Sequence, residues 1–219
     1  GCARASVNAA VALVISGPGC TNAAPAIGQS WADSLPVLLL SAEAASHTRG
    51  KGWGVLHEVT EQKAVTAPLT ALSATAYRPE DVPELLAQAF SMFSSARPRP
   101  VHISIPTDIQ STKTNGNWTA VELPVRPHPD PYQITQAAAL LADAQNPLIM
   151  VGGGGSEGAV EIQQLCEQLN AIVISLFILF PSLEILRISF VPFQNFGSLS
   201  KSTITSQILS ISASTLTDT

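Results

Sequence analysis

The chain has 219 residues, 46% hydrophobic and 12% charged, enough apolar material for one large domain or two small ones. Its net charge of −5, with 11 Lys and Arg residues scattered along the chain, argues against a nucleic-acid binder with a basic face. Cys2, Cys20 and Cys166 show neither metal-ligand spacing nor a disulfide framework, which fits a reducing compartment.

The chain opens on Gly1-Cys2-Ala3-Arg4, without an initiator Met or signal peptide, and reads as a fragment whose natural N-terminus lies upstream. Residues 2–10 read as the end of a helix. The apolar run 11–15 predicts a buried strand. Ser16-Gly17-Pro18-Gly19 then breaks the run, and Thr21 and Asn22 stand where a helix begins, running to about Ser34. A strand, a Gly/Pro turn and a capped helix bring backbone N–H groups close to a ligand. Leu35-Pro36 ends the helix, and residues 37–40 form a second apolar strand. Continuous apolar strands suit a parallel sheet covered on both faces.

Residues 41–56 are a polar, glycine-containing loop, followed by a short helix around 59–65 and a strand over 69–76. Pro79, Glu80 and Asp81 suit a helix first turn. Val82, Leu85, Leu86, Ala89, Phe90 and Phe93 recur at close to the 3.6-residue helical period. Arg97-Pro98-Arg99-Pro100 stops that helix, and residues 101–105 alternate as a strand ended by Pro106. Residues 111–131, with Pro124, Pro127, Pro129 and Pro131, form a linker. A second βα pattern follows: a helix over 131–144, a strand over 148–151, the glycines Gly152 to Gly155, a helix over 158–169 and a strand from Ala171. The fold class is therefore α/β, an open parallel sheet with helices on both faces, plus an incomplete second α/β domain. The domains run 1–110, linker 111–131, and 132–174. Residues 175–219 hold one of the chain's 14 glycines, Gly197, and end in a Ser/Thr-rich stretch. They read as an anomalous tail, non-native or disordered. Pro181, Glu184 and Arg187 interrupt its apolar run before it is long enough to span a membrane.

Gly17-Pro18-Gly19 alone reads as a tight turn. The rival dinucleotide fingerprint needs a third glycine where Asn22 stands, so that fingerprint fails. Gly152 to Gly155 could approach the phosphates of FAD or form a plain strand-to-helix turn, and the plain turn is preferred. His57 is either a loop histidine bonded to a neighbour or a functional group. Trp53 lines a pocket or stands exposed. His47, His102 and His128 show no partner pattern, with His102 on a strand and His128 in the linker. Asp33 and Asp108 read as caps or turn residues.

Four blocks then fall in a telling order: residues 16–22, Ser-Gly-Pro-Gly-Cys-Thr-Asn; residues 32–37, Ala-Asp-Ser-Leu-Pro-Val; a loop ending in His57-Glu58; and residues 96–109, which end in Ile-Pro-Thr-Asp-Ile. Across residues 1–110 this series resembles the thiamine-diphosphate-dependent enzymes of the acetolactate synthase type. Residues 49–58 and 95–103 look closest to the 5-guanidino-2-oxopentanoate decarboxylase branch. His57 stands where acetolactate synthases usually carry Gln, which favours a 2-oxo acid decarboxylase over an acetolactate synthase.

The resemblance implies that residues 1–110 are the N-terminal pyrimidine-binding domain of a three-domain enzyme. It implies that Gly17, Pro18, Gly19 and Asn22 line or support the aminopyrimidine of thiamine diphosphate. It implies that His57 faces the reacting carbon, where a histidine can relay a proton and a glutamine cannot. Glu58 reads as structural, an ion-pair partner for Arg49 or Lys51, and Glu43 or Glu58 is the candidate for an acidic substrate pocket. Magnesium and the diphosphate belong to a C-terminal domain, and the catalytic glutamate to a segment upstream of Gly1. The chain alone is thus expected neither to hold the cofactor tightly nor to turn over. The expected partners are a small 2-oxo acid and a second copy of the protein, as homodimer or homotetramer, with no nucleic acid and no membrane. A cytoplasmic location is expected, an organelle being the alternative. The other readings are an acetolactate synthase-type carboligase and a non-catalytic α/β interaction fragment.

Overall fold

The computed structural model describes residues 1–6, 8–155, 158–175 and 187–189. The chain divides into two units, Gly1–Arg126 and Pro127–Thr219.

The first unit is built on a parallel four-stranded sheet of order β1-β2-β4-β3, with β1 Ala10–Val14, β2 Val37–Glu43, β3 Leu72–Thr75 and β4 Val101–Pro106. Its helices are α1 Cys2–Ser6, α2 Pro18–Ala32, α3 Gln62–Thr66, α4 Asp81–Ser95 and α5 Thr107–Gln110. Strand β4 lies between β2 and β3, and Val101, His102, Ile103 and Ser104 are all buried. The two-residue side-chain period of a strand separates its faces. Val101 and Ile103 join Leu38 of β2 beneath Ala89 and Phe93 of α4, and Phe90 meets Phe93 edge-to-face at 5.7 Å. Asp81 accepts the backbone N–H groups of Tyr77 and Arg78 at 2.8 and 3.0 Å, which pins the entry to α4.

The opposite face of β2 and β4 is polar. It carries Ser41, Glu43, His102 and Ser104, all buried, and α2 and α3 lie on this side through Cys20, Gln62 and Thr66. The expected parallel sheet with helices on both faces is present.

Two local expectations are corrected. Strand β1 is not buried: Val11 is 58% and Leu13 81% exposed, because among the described residues β1 is the sheet edge and pairs with β2 alone. Helix α2 starts at Pro18, four residues before Asn22, with Gly17 as its N-cap. Proline's fixed φ suits a first helical turn, so Thr21 is not the cap. Its hydroxyl turns back and donates to Pro18 O at 3.1 Å.

In the second unit, α6 Pro131–Asp143 begins on an Asp130 side chain that accepts Tyr132 N–H. Strands β5 Leu148–Val151 and β6 Ile172–Ser175 pair in parallel, with α7 Ala159–Leu169 between them in sequence. Ala138 and Leu165 form the buried centre of this unit. Asn170, in the left-handed conformation, caps the end of α7. Of the stretch 175–219, Ser175 closes β6 and Arg187–Ser189 form β7, antiparallel to β6; otherwise the expectation for this stretch lies outside the described residues. Among the described residues no helix is long and apolar enough to cross a membrane.

Candidate active site

The loops that follow β1 and β2 and the segment before α3 meet at the C-terminal edge of the first sheet. They enclose a cleft of about 180 Å³ lined by Ser16, Glu43, Arg49, His57, Glu61 and Gln62, among others. In open α/β sheets ligands bind in such a crevice, outside the carboxyl ends of the strands.

Gly17 is the tightest point. Its backbone sits at φ 52 and ψ −99, a region essentially restricted to glycine. A Cβ there would collide with the carbonyl oxygen of His57 and lie 3.3 Å from Val59 Cγ1. The turn before α2 and the His57 loop therefore pack backbone to backbone. His57 itself has φ 61, and its ring nitrogen Nδ1 is buried with no hydrogen-bond partner among the described residues. Buried polar atoms are nearly always paired, and this one, on a residue that lines the cleft, is not. Pro18 opens α2, and a Cβ on Gly19 would lie 3.1 Å from both Val14 and Ile15 side chains. Asn22 is exposed on α2; Gly17, Pro18, Gly19 and Asn22 follow the lining residue Ser16 in sequence and are not themselves among the residues lining the cleft.

A buried hydrogen-bond network underlies the cleft. Gln62 Oε1 accepts Gly17 N–H at 2.8 Å. Its Nε2 faces Ser41 Oγ at 2.9 Å, Ala42 O at 2.7 Å and Ser104 Oγ at 3.0 Å. Ser104 donates to Glu43 at 2.7 Å, and Arg49 Nε donates to the other Glu43 oxygen at 2.8 Å. On the far side, His102 Nε2 lies 2.8 Å from Ser41 Oγ, and Nδ1 lies 2.6 Å from Thr66 Oγ1 and 3.0 Å from Ser73 Oγ. Thr66 and Ser73 also reach Lys63 O. One proton order satisfies these groups: both hydroxyls donate to Lys63 O, His102 donates from Nδ1, and Ser41 donates to Nε2. His102 is thus neutral. Burial pushes its pKa from 6.5 down to about 4, since a low-dielectric interior disfavours the imidazolium. Burial also raises the pKa of Cys20, whose Sγ lies 4.0 Å from His102 Nε2, so this thiol is no activated nucleophile.

The structure corrects several side-chain roles. Glu58 pairs with neither Arg49 nor Lys51; its carboxylate accepts Gly52, Gly54 and Val55 N–H at 3.0, 2.7 and 3.1 Å and closes the loop on itself. Arg49 instead pairs with Glu43, and Lys51 lies over the ring of exposed Trp53. His102 has the partners that its sequence context did not show. Asp33 closes the end of α2 and pairs with Arg4 at 2.7 Å. Asp108 accepts Ser46 N–H at 2.9 Å, and that bond lowers its pKa. Gln62 was not legible as a site residue: a glutamine in a Glu-Gln-Lys run looks like solvated surface. Its one signal was that it stands four residues after a His-Glu loop.

With this geometry in place, the likeness to known proteins can be specified. The family described as "Thiamine pyrophosphate enzyme, N-terminal TPP binding domain" matches residues 1–66. The chain is 46% identical over 173 residues to "Probable 2-ketoarginine decarboxylase AruI" of Pseudomonas aeruginosa, which covers 78% of this chain and 31% of the relative. It is 33% identical over 165 residues to "Probable acetolactate synthase large subunit" of Methanocaldococcus jannaschii, covering 70% of this chain and 27% of the relative. The chain therefore spans about a third or less of the length of these relatives. The crystal structure of benzoylformate decarboxylase from Polynucleobacter necessarius matches with a TM-score of 0.71 at 20% identity, over 79% of this chain and 33% of that one, a likeness of fold. The order of sequence blocks, the parallel sheet and these matches agree: the chain belongs to the thiamine pyrophosphate enzymes and carries their N-terminal TPP binding domain.

Proposed function

We propose that this chain supplies the aminopyrimidine side of the thiamine diphosphate site in a 2-oxo acid decarboxylase or carboligase. The observation that carries the reading is the clasp of Gly17 and His57, where a Cβ would collide and a buried ring nitrogen lacks a partner. The missing Cβ of Gly17 lets the His57 backbone close on the turn, and the unpaired nitrogen is the polar contact left for the ring. Gly17, Pro18 and Gly19, which follow the lining residue Ser16, would support the aminopyrimidine; exposed Asn22, off the cleft, is given no contact with it. When bound, the cofactor supplies an electron sink for loss of carbon dioxide from a 2-oxo acid. His57 holds or moves a proton at its ring nitrogen, on the wall of the cleft. Ser16 and Gln62 line the same cleft and fix its floor.

The 2-ketoarginine decarboxylase relative favours a substrate with a guanidino end. Of the acidic groups at the cleft, Glu43 is engaged by Arg49 and Glu58 by loop amides. Glu61 is exposed, lines the cleft and has no ion-pair partner among the described residues. Glu61 is thus the carboxylate open to a substrate cation, in place of the Glu43 or Glu58 expected from sequence. A carboligase reading rests on the acetolactate synthase relatives. No group of three His, Cys, Asp or Glu that could hold a metal occurs among the described residues. Gly153–Gly155 form a single 3₁₀ turn. The full-length protein is proposed to act as a homodimer or homotetramer.

The test is carbon dioxide release by the full-length protein from 5-guanidino-2-oxopentanoate and from pyruvate, with thiamine diphosphate and Mg²⁺ added. Release from the guanidino acid with a higher kcat/KM is expected. His57→Gln is expected to lower kcat about 100-fold, the size of a lost general acid–base group, or to shift product from decarboxylation to carboligation. Unchanged kcat and unchanged products would sink the role of His57; inertness toward every 2-oxo acid tested would sink the activity.

A further inference from the structure

We infer that Gln62 is the positioning residue that seats His57 against the Gly17 turn. Its functional meaning rests on the reading of Gly17 and His57 given above, while its contacts stand independently of that reading. Gln62 is 2% exposed, yet begins a helix of only five residues, so helix propensity does not explain its burial. Its side-chain amide has one possible orientation: Nε2 faces three acceptors, which leaves Oε1 for Gly17 N–H. Those partners come from the β1–α2 turn, from β2 and from β4, three segments far apart in sequence. Gly17 N–H lies at the head of α2, where no helical carbonyl is available to it. Without Gln62 that N–H would be buried and unpaired, at a backbone conformation that only glycine tolerates. Because the His57 carbonyl rests where a Gly17 Cβ would be, any relaxation of Gly17 moves the seat of His57. The link from the network to the Gly17 turn therefore passes through one amide. The charged and titratable groups around it are Glu43 behind Ser104, Arg49 on Glu43, and His102 behind Ser41.

The experiment uses NMR amide exchange and His57 ring resonances of the 219-residue chain, with no cofactor, so its outcome is separate from whether the enzyme assay succeeds. In wild type, Gly17 N–H is expected to be protected; exchange at the rate of an open loop amide overturns the proposal outright. Gln62→Met keeps the volume and removes both ends of the amide. It is expected to speed Gly17 exchange about tenfold, the equivalent of one lost hydrogen bond, and to displace the His57 ring signals, while the Ile103 amide in the core is unchanged. Unaltered Gly17 exchange and His57 signals in a folded Gln62→Met chain overturn the proposal. If that chain does not fold, Gln62→Glu decides. Protonated, the introduced carboxyl offers an acceptor and a donor; ionised, it repels Ala42 O. Against wild type at each pH, Gly17 protection and the His57 signals are expected to approach wild type in acid and to depart together as pH rises. If neither follows the titration of the introduced carboxyl, the positioning role is refuted.

Discussion

The buried imidazole of His102 makes a quantitative prediction about acid stability. Its pKa is lowered to about 4 from 6.5, and an unfolded chain restores the higher value. Between these two pH values the unfolded state binds a proton that the native state refuses. Stability is therefore complete above pH 6.5 and falls as pH drops toward 4. At about 1.36 kcal/mol per pH unit, the window of roughly 2.5 units corresponds to about 3 kcal/mol, a large fraction of a domain's net stability. No discount for solvent screening applies, since His102 is fully buried. The assay is urea unfolding from about pH 7.5 to 4, followed by tryptophan fluorescence. Trp31, Trp53 and Trp118 all lie in the first unit, so the signal reports that unit. His102→Gln, which cannot charge, is expected to start less stable but to lose about 3 kcal/mol less on acidification. Parallel stability–pH curves for the two proteins would refute the assignment of a neutral buried His102. Carboxylate titrations below about pH 5 affect both proteins and cancel in the comparison.

Further outcomes follow from the loops. Gly17→Ala combines a glycine-only conformation with a collision against the His57 carbonyl and is expected to cost about 3 kcal/mol. Gly50→Ala, also at positive φ but with nothing within 4 Å of its Cβ, is expected to cost only about 1 kcal/mol; equal losses in urea unfolding would show that the His57 contact does not matter. Glu58→Ala removes the acceptor of three loop N–H groups. Trypsin is expected to cut after Lys51 several-fold faster, with global stability changed by about 1 kcal/mol or less. An unchanged cleavage rate would mean that the carboxylate does not order the loop.

Much of the framework was legible in order along the chain, because local physics sets it. The alternation in β4 and the 3.6-residue period of α4 each require only a short run of neighbouring residues to be seen. The four blocks carried the family for the same reason, as did the glycine turn at Gly17. The exposure of β1 is not written in its sequence, because an apolar run does not say whether its strand lies inside a sheet or at its edge. The start of α2 differs from the sequence expectation because Thr-Asn resembles a cap, whereas Pro18 already sets the helical φ.

The polar interior was not legible at all. His102 meets Ser41, Thr66 and Ser73 across separations of 61, 36 and 29 residues, and no local pattern announces such partners. The same holds for Arg49 on Glu43 and for Gln62, which looks like surface until β2, β4 and the Gly17 turn close around it. A parallel α/β framework, a glycine turn that admits close approach, and membership of a cofactor family are all written in local sequence. Which polar groups are spent on one another, and which, like His57 Nδ1 and Glu61, have no such partner among the described residues, depends on the tertiary structure. Strand and helix patterns depend on nearest neighbours, whereas pairing of buried polar groups depends on which distant segments the sheet brings within about 3 Å.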